Sequence, residues 1–415
     1  MSLDPERAQP SVNDGVAVSH RVRDGRPPDA AGLRGAARAG SRRALAVTVL
    51  IPAAVIALGA CGGSAPLPAP TAAGNGGGSA VSLPGTPDPA VRSLAESGSS
   101  LLYPLFNQRW APAYEHQFPN ITITTASTGS GRGISYAAAG TADIGASDAY
   151  LSSANVAKNP NLVNIPLVIS AQLISYYLPG LNGTVNLNGT ILAKMYQGQI
   201  TTWNDQQIKA INPDITLPAT RVVPLHRTDD SGDTFLFTTY LSTQDPDWSN
   251  SVSYGTTVAW PGVAGQFAFQ GNGSMVTGCR DHPGCIAYIG ISYKDQATNL
   301  GLGEAALLNG SGSYKLPTPA AINAEATGFA STTPANGTLS LINGTAAGAY
   351  PIVNYEYAIV SIRQPNAAKT RDLKALLHWI LTTGSGPAYL GPVHFQPLPS
   401  QVASISEALA AKISS

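Results

Sequence analysis

Charge is scarce in this sequence. Acidic and basic residues together make up 12% of it, and Lys+Arg 24 stands against Asp+Glu 24. With no basic excess, a nucleic-acid partner is not expected, nor a membrane held by charge alone. No Gly-x-x-x-x-Gly-Lys-Ser/Thr occurs, which excludes a P-loop. Ser147 follows Gly145-Ala146 but precedes Asp148-Ala149, so the Gly-x-Ser-x-Gly elbow of a serine hydrolase is missing there. No His-Asp ligand set suited to a metal-dependent phosphatase stands out, and neither a metal nor a cofactor is expected. Only three cysteines occur, Cys61, Cys279 and Cys285, and they need separate explanations. Glycine and proline, at 43 and 32, are plentiful. Together with a length of 415 residues they describe a loop-rich chain large enough for two domains.

Residues 1–60 read as an N-terminal extension and an export signal. Residues 1–41 are polar and without apolar period; Arg42-Arg43 then precedes a charge-free run from Ala44 to Ala60. A basic flank, an apolar stretch and small residues before a break are the parts of a secretory signal. The break, Leu58-Gly59-Ala60-Cys61, resembles a bacterial lipobox, in which the Cys61 thiol takes the lipid. The alternative is an uncleaved anchor. It is weakened because the run falls short of the ~20 apolar residues a span needs and Pro52 interrupts it. Residues 61–90 are mostly Gly, Ser, Ala, Pro and Thr and read as a flexible tether. Its typical reach is on the order of 30 Å. The folded part is expected to start near Val91.

From there strands and helices alternate, which predicts an α/β protein with largely parallel sheets. Pro104 belongs in a first helical turn, and Phe106, Trp110, Tyr114 and Phe118 share one helix face. Ile121–Thr124 is a strand, an Ala-rich helix starts at Ile134, and Asp143–Ala146 is a short buried strand. Two long β-branched passages, at 162–177 and 350–360, carry the chain across to a second domain and back. The expected division is 91–173 for the first part of domain I, 174–353 for domain II and 354–415 for the rest of domain I. Two strands would join the domains over a central cleft, a shape that goes with hinge closure. Cys279 and Cys285 bracket a Pro283-Gly284 turn that would bring the thiols within disulfide reach, and export favours the bond. Zinc held by both cysteines and His282 is the alternative, without an evident fourth ligand.

The stretch from Leu225 to Phe235, LHRTDDSGDTF, runs from a buried strand through small polar residues into a helix with an apolar stripe. Asp230 or Ser231 would cap that helix, leaving first-turn N–H groups and Arg227 facing one space. Strand alternation sends His226 to the opposite face. Ser100 and Ser130 lie in similar turns before helices. Such turns gather at the carboxyl ends of strands in α/β sheets, where ligands bind. Three hydroxyls, helix N-termini, one Arg and Asp148 point to a tetrahedral oxyanion.

Four segments carry a resemblance. Gly98-Ser99-Ser100-Leu101-Leu102, Thr128-Gly129-Ser130-Gly131, Gly145-Ala146-Ser147-Asp148-Ala149 and Arg227–Thr234 are similar, in order and spacing, to the ligand motifs of the phosphate-specific periplasmic binding proteins. The likeness runs from about Gly98 to Ser415 and leans to the actinobacterial, mycobacterial-type phosphate-binding lipoprotein. It implies a type II periplasmic-binding fold, phosphate in the cleft and delivery to the permease subunits of an ABC importer. It implies a non-enzymatic monomer, exported and anchored by lipid on Cys61 to the outer face of the cell membrane. It sets the Ser100 hydroxyl and the Leu101 N–H on phosphate. Ser130, Arg227, Ser231 and Gly232 add donors, and Asp148 accepts the phosphate proton. Asp233 stands where the wider family usually has Thr, and its role is either a second acceptor or a helix cap. A receptor for sulfate shares the fold, but a fully ionised oxyanion has no proton for Asp148. A secreted phosphate-ester hydrolase is the remaining alternative and lacks an evident nucleophile.

Overall fold

The computed structural model describes residues 83–415. The expected signal, Cys61 and most of the tether lie outside the described residues. The tether, expected to run to residue 90, ends earlier. Leu83 is buried in the core, and the Asp88 N–H donates to Asp372 Oδ1 at 2.7 Å. One bulky apolar side chain and one carboxylate paired with Arg92 at 3.3 Å are enough to hold the segment down.

Among the described residues twelve strands form in chain order: β1 (Arg92–Gly98), β2 (Ile121–Ser127), β3 (Ile144–Ser147), β4 (Leu162–Tyr176), β5 (Asn186–Leu187), β6 (Val223–Arg227), β7 (Phe267–Phe269), β8 (Cys285–Gly290), β9 (Gly303–Glu304), β10 (Ala306–Leu308), β11 (Tyr314–Lys315) and β12 (Val353–Ser361). The main sheet runs β2-β1-β3-β12-β4-β8-β6-β7, with β9 also on β4. Its flanks are parallel, as expected: β1 with β2 and β3, and β6 with β7 and β8. Its centre is not. β12 pairs antiparallel with β3 and β4, and β4 pairs antiparallel with β8. The reason is the crossing itself. The 15 residues of β4 carry the chain out and β12 carries it back, so the two run in opposite directions. The first part of β4 pairs with β12 up to Ala171, and Gln172–Tyr176 pair with β8.

The register of β4 against β12 slips once. Tyr357 faces Pro166 and Glu356 faces Val168, which leaves Leu167 as an extra residue. Proline has no N–H to give the ladder, and a bulge is where a sheet tolerates it.

Phe106, Trp110 and Tyr114 are fully buried, as their spacing predicts, while Phe118 is only partly buried because the helix ends at Gln117. A turn of π-helix, Phe106–Trp110, interrupts the helix there, and the Trp110 indole N–H donates to the Gly384 carbonyl at 2.9 Å. The helix expected from Ile134 spans Ser130–Ala139 instead, because Gly129 takes a positive φ of 93° and turns the chain early. The Cys279 and Cys285 sulfurs lie 2.10 Å apart, tying the helix Gly271–Asp281 to the start of β8. No helix among the described residues is long and apolar enough to cross a membrane.

Candidate functional site

β1, β2, β3 and β6 end at Gly98, Ser127, Ser147 and Arg227. The turns beyond these ends make two facing walls. On the first wall, Ser99 Oγ accepts the Leu101 and Leu102 N–H groups at 3.1 and 2.9 Å and donates to Asp148 Oδ1. Ser130 Oγ accepts the Asp148 N–H at 3.2 Å. Asp148 is 2% exposed. Burial pushes its carboxyl well above the usual range, and the neighbouring Glu356 and Asp233 push it further.

On the second wall, Arg227 closes β6 and is 4% exposed. Its Nε donates to Asp229 Oδ1 at 2.7 Å and a terminal nitrogen to Asp229 Oδ2. Nη1 donates to Asp233 Oδ2 at 2.8 Å, and Nη2 reaches across to Ser100 Oγ at 3.0 Å. Burial works against the guanidinium's charge. The hydrogen bond to Asp229 and the charges of Asp233 and Asp229 outweigh it and hold the group above its ordinary value. Burial would likewise raise Asp229, but the Arg227 hydrogen bond and charge keep it below. Ser231 caps the helix Gly232–Gln244, its Oγ accepting the Thr234 N–H at 3.2 Å. Its own N–H donates to the Thr256 carbonyl at 2.9 Å. His226 turns away, as alternation predicts, and stacks on Trp260 with ring centroids 4.9 Å apart.

The walls touch. The Gly131 N–H donates to the Asp230 carbonyl at 3.0 Å. Gly232 lies so close to the first wall that a Cβ there would stand 2.4 Å from both Asp148 Oδ2 and Ser130 Oγ. Any side chain at this position would hold the walls apart. A cavity of about 320 Å³ is lined in part by Gly131 and Asp230 of this contact, and one of about 300 Å³ by Asp229 and Asn272.

The structure therefore gathers Ser100, Leu101, Ser130, Asp148, Arg227, Ser231, Gly232 and Asp233 at the facing turns. In this arrangement Leu101 directs its N–H to Ser99 rather than into the cleft. Asp233 is fully buried with its carboxylate already served: Arg227 and Asn272 donate to Oδ2 at 2.8 and 2.7 Å, and Gln172 to Oδ1 at 3.3 Å. Burial raises its pKa, and the Arg227 charge and these hydrogen bonds oppose the rise.

Sequence reasoning missed five residues here: Ser99, Asp229, Asn272, Gln172 and Glu356. Asn272 is fully buried at the start of its helix and also donates to Ser100 Oγ at 2.9 Å. The signal for Ser99 and Asp229 was present, since both stand inside the quoted motifs. The other three come from distant segments with no local pattern. The zinc arrangement is not the one adopted: the Cys279 and Cys285 sulfurs are at bonding distance, and His282 Nδ1 contacts the Gly278 carbonyl at 2.6 Å.

Hydroxyls, a buried guanidinium and two helix starts lie together at the facing turns, with the Asp148 carboxyl among them. Such a set suits a small oxyanion that still carries a proton.

Residues 84–383 match the family model described as a PBP superfamily domain, and the chain belongs to that superfamily, within its phosphate-binding PstS family. The phosphate-binding protein PstS of Methanocaldococcus jannaschii is 32% identical over 322 residues, covering 72% of this chain and 80% of that protein. The phosphate-binding protein PstS3 of Mycobacterium bovis is 30% identical over 311 residues, 71% of this chain and 79% of its own. Among solved structures, a high-affinity periplasmic phosphate-binding protein, PfluDING, shares 18% identity, covers 76% of this chain and 93% of its own, and superposes with a TM-score of 0.61. That likeness carries the fold, the periplasmic-binding-protein type expected from the motifs.

Proposed function

We propose that this chain binds inorganic phosphate outside the cytoplasmic membrane and hands it to the permease subunits of an ABC importer. The observation that supports the reading is the presence, on two facing walls, of a buried Arg227 guanidinium and a buried Asp148 carboxyl. Arg227 neutralises an anion. Asp148 accepts the proton that phosphate keeps at neutral pH. The Ser100, Ser130 and Ser231 hydroxyls and the Gly232 N–H complete the donor set, the Leu101 N–H joins it only by leaving Ser99 Oγ as the walls part, and Asp233 orients Arg227. The role is that of a receptor without catalysis. Because the walls touch through Gly131, Asp230 and Gly232, phosphate enters when they part. The moving bodies would be 91–173 with 354–415 against 174–353, hinged on β4 and β12.

Calorimetric titration of the protein with phosphate, sulfate and a phosphate ester tests the reading. Heat of binding with phosphate alone is expected. Turnover of the ester would make the protein a hydrolase, and tight sulfate binding would make it a receptor for a proton-free oxyanion.

The same reading includes an exported monomer with a Cys279–Cys285 disulfide, tethered by lipid on Cys61. Replacing Cys61 with Ala should release the protein from the membrane fraction. Retention there would favour an uncleaved anchor.

A further inference from the structure

Glu356 lies in the middle of β12, fully buried. Its Oε1 accepts from Ser170 Oγ at 2.6 Å and from Asn354 Nδ2 at 2.9 Å. Its Oε2 meets no donor among the described residues. The side chain lies instead within hydrogen-bonding reach of Asp148. It is aimed there beside the bulge, where Leu167 falls out of register opposite Glu356 and Tyr357; a bulge turns side chains away from the regular pleat. Two carboxyl groups in contact and out of water do not both ionise, and a hydrogen bond between them needs a proton.

We propose that Glu356 is a positioning residue of the phosphate site, holding a proton against the far side of Asp148 so that Asp148 can accept the proton of phosphate. The inference rests on the phosphate reading above. With Ser99 donating to Asp148 Oδ1 and Glu356 donating from β12, the Asp148 carboxylate is oriented by two protein O–H groups and completed by a third from the ligand. The proton count balances. If the shared proton starts on Asp148, the arriving phosphate O–H displaces it to Glu356: one O–H bond breaks, one forms, and none is lost to water.

The groups facing this pair are few. Asp233 approaches from the helix Gly232–Gln244, with Arg227 of β6 bound to it. Tyr357 is the next residue on β12, and its hydroxyl feels the charge of Glu356. Ser170 and Asn354 are neutral. Burial raises Glu356, while hydrogen bonds with Asp148, Ser170 and Asn354 act against the rise.

The proposal predicts a pH dependence with a definite sign. Once rising pH strips the shared proton from the free protein, phosphate binding must take one back up. Affinity then falls by up to about tenfold per pH unit from this pair alone. Glu356→Gln removes that step. The amide Oε1 still accepts from Ser170 and Asn354, while its N–H₂ donates to Asp148 and never titrates.

The test is the phosphate affinity of the wild type and of Glu356→Gln from neutral to alkaline pH. The variant's affinity should fall less steeply, by up to about tenfold per unit. Parallel profiles would overturn the proposal. A second measurement needs no variant. Titration of the wild type at alkaline pH, in buffers of different ionisation enthalpy, should show up to about one proton taken up per phosphate. No uptake would equally overturn it. A wild type that binds no phosphate at any pH would sink the phosphate reading itself, which parallel profiles would leave standing.

Discussion

On one wall of the cleft, Ser99, Ser100, Ser130 and Asp148 stand beyond β1, β2 and β3 with no buried cation among them. On the other, Arg227 is clasped by Asp229 and Asp233. The second wall holds a fixed charge whose direction is set by two carboxylates. The first holds hydroxyls that rotate and a carboxyl that titrates. On the phosphate reading proposed above, attraction and selection would come from opposite sides. A buried cation draws any small anion. A buried proton acceptor admits only the anion that still has a proton to give. Both groups are nearly closed off from solvent where the walls touch.

Breaking the charged wall should have the largest effect. Arg227→Ala is expected to cost phosphate binding at least ~2 kcal/mol, roughly thirtyfold, because a charge-assisted bond in a closed site is lost. It also strands Asp229 and Asp233 without their cation, so the melting temperature should drop as well. Unchanged affinity by calorimetry would move the phosphate site elsewhere.

Breaking the titrating wall should change selectivity more than affinity. Asp148→Asn presents an N–H₂ group where the carboxyl stood, and sulfate should gain by about tenfold or more relative to phosphate. Sulfate rejection as strong as in the wild type would end the proton-acceptor mechanism.

The comparison is sharpened, rather than broken, at Asp233. Its charge opposes a doubly negative ligand, while its hydrogen bonds steady Arg227. Asp233→Thr removes one negative charge, so phosphate affinity should rise at alkaline relative to mildly acid pH, by about a few-fold. The loosened Arg227 should weaken binding slightly throughout. Superimposable pH profiles would leave Asp233 with the orienting role alone.

The facing turns were legible because each site residue sits where a β-rich run meets a helical one, and small residues mark the switch. Ser231 could be read as a cap, and it is one. The opposite faces of His226 and Arg227 followed from period alone. The supporting residues follow no such pattern. Gln172 and Glu356 lie inside apolar strands, where a polar residue gives no hint of its partner. Asn272 lies in a Gly-Asn-Gly-Ser run that reads as a loop yet opens a helix. Their partners are chosen by tertiary packing: Asn272 meets Asp233 across 39 positions and Gln172 meets it across 61. The antiparallel centre of the sheet was missed because alternating strands and helices describe only the flanks.

The place of β12 in the sheet also dictates an order of assembly. It sits between β3 and β4, yet it is the last strand to be made. A chain growing from its amino end presents β3 and β4 long before the strand that separates them exists. Over that interval two apolar strands have open edges, ready to pair with each other or with another chain. Closing the sheet then means inserting a nine-residue strand along both neighbours at once, through contacts between residues as far apart as Leu162 and Ser361. Such distant pairing is slow to form, so a chain that stops short of Val353 lacks the strand that closes both edges however well the rest of it has folded.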